Sequence, residues 1–129
     1  MNWKLYTLLL VASAFTIIIG AVILRVADLV PLLLTYLTFI AAAIIFSESY
    51  FVYRENRKAL FIGVILGIIA MVSSSNPAHL YALEKFGSTL SLSLADITLV
   101  IGFYLLPVIY IAMYAWSRIR ECSKHAKKN

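Results

Sequence analysis

The chain has 129 residues, 63% of them hydrophobic and 13% charged, and a mean hydropathy of +0.94. Soluble domains carry roughly a quarter charged residues, so the composition excludes a soluble fold and leaves no separate catalytic domain within these 129 residues. The formal net charge is +5, and the placement of the charges says more than their sum.

Four uncharged stretches dominate: Leu5 to Leu24, Leu29 to Ser47, Ala59 to Leu83 and Ile97 to Ser117. At ~1.5 Å per residue, about 20 apolar residues cross a ~30 Å hydrocarbon layer. The sequence predicts an all-α integral membrane protein, a four-transmembrane-helix bundle forming a single domain. Its spans fall at about 5–24, 29–53, 59–75 and 94–116, with a short helix at about 77–86 and a basic tail at 117–129.

The first span follows Lys4 and is longer than the apolar core of a signal peptide, about 7 to 15 residues, so it is read as retained. Arg25 and Asp28 flank the connection to the second span and are expected to pair, with Asp28 also capping that span ahead of Pro31. The second span contains Glu48, followed by Ser49-Tyr50-Phe51-Val52-Tyr53 before Arg54 marks a boundary. A span reaching Tyr53 places that carboxylate about 9 Å inside the helix end. Intramembrane charge is costly and is the default place to look for function. Glu48 is therefore the candidate ionisable residue, binding a proton or cation, or else snorkelling or pairing with Lys4 or Arg118.

The third span reads Ala59-x-x-x-Gly63-x-x-x-Gly67, small residues on one face that let a neighbouring backbone approach, and is the candidate helix-packing surface. Shorter versions occur at Thr16/Gly20, Thr38/Ala42 and Thr98/Gly102. Beyond it, Ser73-Ser74-Ser75-Asn76-Pro77 supplies a cap and a helix-starting proline, and Gly87 a stop. The segment between is expected to be an amphipathic extracytoplasmic helix using Leu80, Leu83 and Phe86, either lying on the surface or entering a re-entrant path with Ser88 to Ser93. His79 is a polar candidate there, but it has no second ligand nearby, so no metal is expected.

The fourth span opens with Ser93-Leu94-Ala95-Asp96, which matches a capping signal and assigns Asp96 to the first turn. Pro107 in its middle is the candidate hinge. Trp3, Tyr6, Tyr50, Phe51, Tyr53, Tyr110, Tyr114 and Trp116 are expected to form an interfacial aromatic belt.

Lys4, Arg54, Arg57, Lys58, Arg118, Arg120, Lys124, Lys127 and Lys128 share one side of a four-span chain, and only Arg25 and Lys85 lie opposite. The positive-inside rule then predicts cytoplasmic N and C termini in a multi-pass protein of the cell membrane. The basic tail suits anionic lipid head groups rather than nucleic acid. Cys122 is the single cysteine, so no intrachain disulfide forms, and as a juxtamembrane thiol it is open to acylation.

No phosphate loop, H-E-x-x-H, C-x-x-C or nucleophile elbow occurs, so the chain is read as non-enzymatic and without a cofactor. In architecture alone it resembles small multidrug transporters and fluoride channels. It lacks the first-helix glutamate of the former, and no span contains the asparagine of the latter. Two functions follow as expectations: an accessory or scaffold subunit packing with a larger membrane complex, or a small homo-oligomeric transporter or channel using Glu48.

Overall fold

The computed structural model describes residues 1–75 and 77–127, with the side chains of Ala78, His79 and Ala82 outside the described set. The described residues are almost wholly helical. In chain order they form α1 (Trp3–Val26), α2 (Leu32–Tyr53), α3 (Arg57–Ser74), the short α4 (Pro77–Glu84), α5 (Leu90–Val100) and α6 (Leu106–Ala126). A π-helical turn over Ile101–Leu105 joins α5 to α6 in one continuous rod. α1, α2, α3 and this rod are long and apolar enough to cross a membrane. The 22 residues of α2 make ~33 Å of helix, close to the ~30 Å of a hydrocarbon core.

α1 rests on α2, α2 on α3, and α3 on α6, and the ring closes where α5 and the π turn lie against α1. The closing pair is antiparallel. Tyr6 donates to Ser117 at a long 3.4 Å, Ser13 donates to the Gly102 carbonyl at 2.8 Å, and Gly20 faces Thr98 and Leu99.

Two tight turns connect the first three helices, and both are Schellman closures. After α1, Leu29 N–H bonds the Leu24 carbonyl at 3.0 Å and Asp28 N–H that of Arg25 at 3.1 Å. After α2, Asn56 N–H bonds Phe51 at 3.2 Å and Glu55 N–H bonds Val52 at 2.9 Å. Such closures put one residue in the left-handed region, here Asp28 at φ 55° and Glu55 at φ 60°. Asp28 is held by Arg25 at 3.3 Å but does not cap α2, which begins after Pro31 with no side-chain cap. The turn places Asp28 three residues too early for that role. Glu55 tolerates the left-handed region poorly, so Glu55→Gly is expected to stabilise the chain by about 1 kcal/mol, read from thermal unfolding in detergent.

The start of the fourth span differs from its sequence reading. Thr89 is the N-cap of α5, accepting from Leu92 N–H at 3.2 Å. Ser93 lies inside the helix, donating to Thr89 O at 2.8 Å and accepting from Gly87 N–H at 2.9 Å. Asp96 is therefore in the second turn and buried, not at the cap. Leu90 to Ser93 carry the helix one turn further back than the Ser93 signal implied. α4 also stops sooner than expected, at Glu84, and of its apolar set only Leu83 turns inward, while Leu80, Tyr81 and Phe86 stay exposed. The proposed cap Asn76 lies outside the described residues. The basic tail continues as the last turns of α6.

Proline explains the π turn. Leu106 N–H bonds the Ile101 carbonyl five residues back. The next donor in that pattern is Pro107, which has no N–H, so the Gly102 carbonyl is served from another helix by Ser13. Ser13→Ala is expected to cost about 1–2 kcal/mol by orphaning that carbonyl, and distinctly less when Pro107→Ala restores a local donor. A double-mutant cycle on thermal unfolding in micelles checks this, and equal costs in both backgrounds would break the account.

Candidate functional site

The best-packed region lies toward the end of the bundle that carries both termini. Tyr6, Leu10, Val52, Leu60, Val64 and Tyr110 are buried there together. Tyr6 and Tyr110 meet edge to face with ring centroids 5.1 Å apart. The Tyr110 hydroxyl donates to the Leu60 carbonyl at 3.1 Å, so each of these rings buries its body and finds a polar partner for its tip. The aromatic belt is corrected accordingly: Tyr6 and Tyr110 belong to the core, whereas Tyr50, Phe51, Tyr53 and Trp116 are exposed.

The small-residue face of α3 looks directly at α6. A side chain on Gly63 would meet the Tyr110 hydroxyl, and its Cβ would come within 2.7 Å of the phenol carbon Cζ. At Gly67 the same atom would sit 3.3 Å from Pro107 Cβ and 3.4 Å from Ile111 Cδ1. Ala59, one turn earlier, is buried as well. Gly63, Gly67, Pro107, Tyr110, Ser13 and Ile45 border an interior cavity of about 30 Å³, enough for a water molecule and not for a hydrated ion.

Glu48 projects inward one turn beyond Ile45. It is 8% exposed, and its Oε1 has no hydrogen-bond partner among the described residues. Its carboxyl is within electrostatic reach of Tyr110. The basic groups considered from sequence are not its neighbours in an ion pair: Arg118 pairs with Glu121 at 3.2 Å, Arg57 approaches Glu121 at 4.0 Å, and no ion pair with Lys4 forms among the described residues. A carboxyl in this position is costly as an unpaired charge and far less so when protonated or paired.

Asp96 is at the opposite end, 4% exposed. With Ser74, Leu83 and Tyr104 it borders a space of about 10 Å³, and with Leu83, Phe86 and Val100 a wider one of about 280 Å³; the Tyr104 and Ser75 hydroxyls are 2.9 Å apart beside it. The side chain of His79 lies outside the described residues. Glu48 and Asp96 are thus not brought together, and among the described residues no three His, Cys, Asp or Glu side chains form a metal-holding group. Sequence reading overlooked Ser13 and Tyr110. The first had a signal, since Ser13 precedes Thr16-x-x-x-Gly20 on the same face; the second was absorbed into the aromatic belt.

Comparison with protein-family models, curated proteins and solved structures finds no match to this chain.

Proposed function

We propose that this protein is a small non-catalytic membrane subunit that packs with a larger membrane complex, held with both termini in the cytoplasm and α4 on the outer side. The tight packing midway between α1, α3 and α6 carries this reading. Any route along the bundle axis would pass Leu10, Gly63, Pro107 and Tyr110, where about 30 Å³ of space is left. A single chain packed in this way is suited to supporting neighbours rather than conducting. The nine basic residues at one end support the orientation, and the exposed Trp116 and Tyr53 suit an interfacial level there.

One observation favours a second reading, a homo-oligomeric transporter or channel: the buried Glu48 oxygen without a partner among the described residues. In that reading copies of the chain form the route between them, and Glu48 takes the proton or cation. Purification of the tagged full chain in native nanodiscs, followed by mass spectrometry of stoichiometric companions, tests the choice. Recovery with a fixed set of other membrane proteins is expected. A pure homo-oligomer that passes ions in liposomes, and stops doing so as Glu48→Gln, would replace the subunit reading with transport. The orientation is checked separately with an impermeant thiol reagent, which should label Cys122 only after the membrane is opened.

A further inference from the structure

We propose that the cleft between α2 and the α3–α5 side of the bundle holds the acyl chain of a bilayer glycerolipid, with an ester carbonyl of that lipid accepting a hydrogen bond from Thr35. The cleft lies at the end away from the termini and has a volume of about 400 Å³, within the range of ligand-sized cavities. Ala21 forms its back, Leu34 and Leu37 one wall, and Leu99 and Phe103 the other. None of the residues bordering it is charged, which selects against an ionic group inside.

Thr35 sets the polar end. It is 5% exposed, and its Oγ1 has no hydrogen-bond partner among the described residues. Elsewhere in the long helices Thr7, Thr16, Thr38 and Thr98 each donate to a carbonyl of their own helix. Thr35 alone of these buries a hydroxyl with that donor unspent, and it does so in the wall of the cleft. A turn about the Thr35 Cα–Cβ bond presents that hydroxyl to an uncharged acceptor entering the cleft.

Depth identifies the acceptor. Thr35 is three residues inside the start of α2, ~4.5 Å along a helix whose length matches the hydrocarbon core. That is the level at which the apolar layer meets the polar head-group region, where the ester carbonyls of a glycerolipid sit. Leu34 and Leu37 are about half exposed, so the cleft opens sideways on the lipid-facing surface and a chain enters without crossing water. A single hydrocarbon chain suits a space of about 400 Å³ with apolar walls.

The test uses the full chain in nanodiscs of diacyl phosphatidylcholine, released into mild detergent and weighed intact with its retained lipid. The wild-type chain is expected to keep about one lipid, one for the one cleft. Ala41→Phe, which fills the cleft, should lose it. Thr35→Val, nearly the same shape without the hydroxyl, should retain it several-fold less, and so should the wild type offered a dialkyl ether lipid that lacks the carbonyl. Circular dichroism verifies the fold. If Ala41→Phe does not fold, the Thr35→Val and ether-lipid comparisons still decide. Equal retention by the wild type and Thr35→Val, or of ester and ether lipids, overturns the proposal. A change of oligomeric state in Ala41→Phe with lipid retention unchanged assigns the cleft to a second copy and overturns it too.

Discussion

Gly63→Leu is expected to destabilise the isolated chain by about 3 kcal/mol, the upper part of the range for overpacking a filled core. The new side chain would have to displace Tyr110, whose ring fills the space in front of Gly63 and whose hydroxyl is bonded to Leu60. Moving that ring also undoes its edge-to-face contact with Tyr6. Gly67→Leu, on the same face, meets only Pro107 Cβ and the far end of Ile111 at 3.3 and 3.4 Å, and a cost of about 1 kcal/mol is expected there. Unfolding in micelles, followed by circular dichroism, gives both values. The contrast has an internal control: Tyr110→Phe should recover part of the loss caused by Gly63→Ala, because the hydroxyl is the nearest atom to the added methyl group. Equal losses at 63 and 67 would mean that Tyr110 is not what the glycine accommodates.

Glu48→Leu is expected to act in the opposite direction, raising the stability of the isolated chain by about 1–3 kcal/mol while weakening what the chain does. The reason is the buried Oε1 without a partner among the described residues. Replacing it with an apolar side chain of similar reach removes a desolvated polar atom and breaks no ion pair within the described chain. In native nanodiscs the same substitution should lower recovery of the companion proteins, if a basic group of theirs answers Glu48. In the transport reading it should lower flux instead. A fall in melting temperature in Glu48→Leu would show that the carboxyl is satisfied within its own chain, and would remove it as the contact point with anything outside.

Hydropathy alone was enough to locate α1 to α3 and the fourth rod, because length and absence of charge are properties of each segment by itself. The pairing of Arg25 with Asp28 was legible for the same local reason. What escaped depends on contacts between distant positions. Tyr6 and Tyr110 have the composition and location of belt residues, and only their mutual packing across 104 positions of sequence (110 minus 6) makes them core. Ser13 answers a carbonyl 89 residues away. The start of α5 differs for another reason: Thr89 and Ser93 are both good capping residues, and the Ser93 hydroxyl is taken by the Thr89 carbonyl and the Gly87 N–H, which leaves the cap to Thr89. Of the candidate site residues, Glu48 was conspicuous as a charge in an apolar run, but its isolation from Arg118 is a matter of where α6 sends its last turns, with Arg118 turned to Glu121.

The π turn divides the fourth rod into two parts that answer to different neighbours. Before it, Thr98 and Leu99 fit against Gly20 of α1; after it, Pro107, Tyr110 and Ile111 fit against Gly63 and Gly67 of α3. A π turn spends one residue more than an α-helical turn on the same advance, which rotates everything beyond it by roughly 100°. That extra residue is thus a phase shifter between two binding faces on one rod. Deleting a single residue between 101 and 105 would preserve the hydropathy, the length and the caps of the span, yet would swing Tyr110 out of the bundle. In this rod the loss or gain of one residue turns the second half by a little over a quarter-turn, enough to take Tyr110 off the face that meets α3.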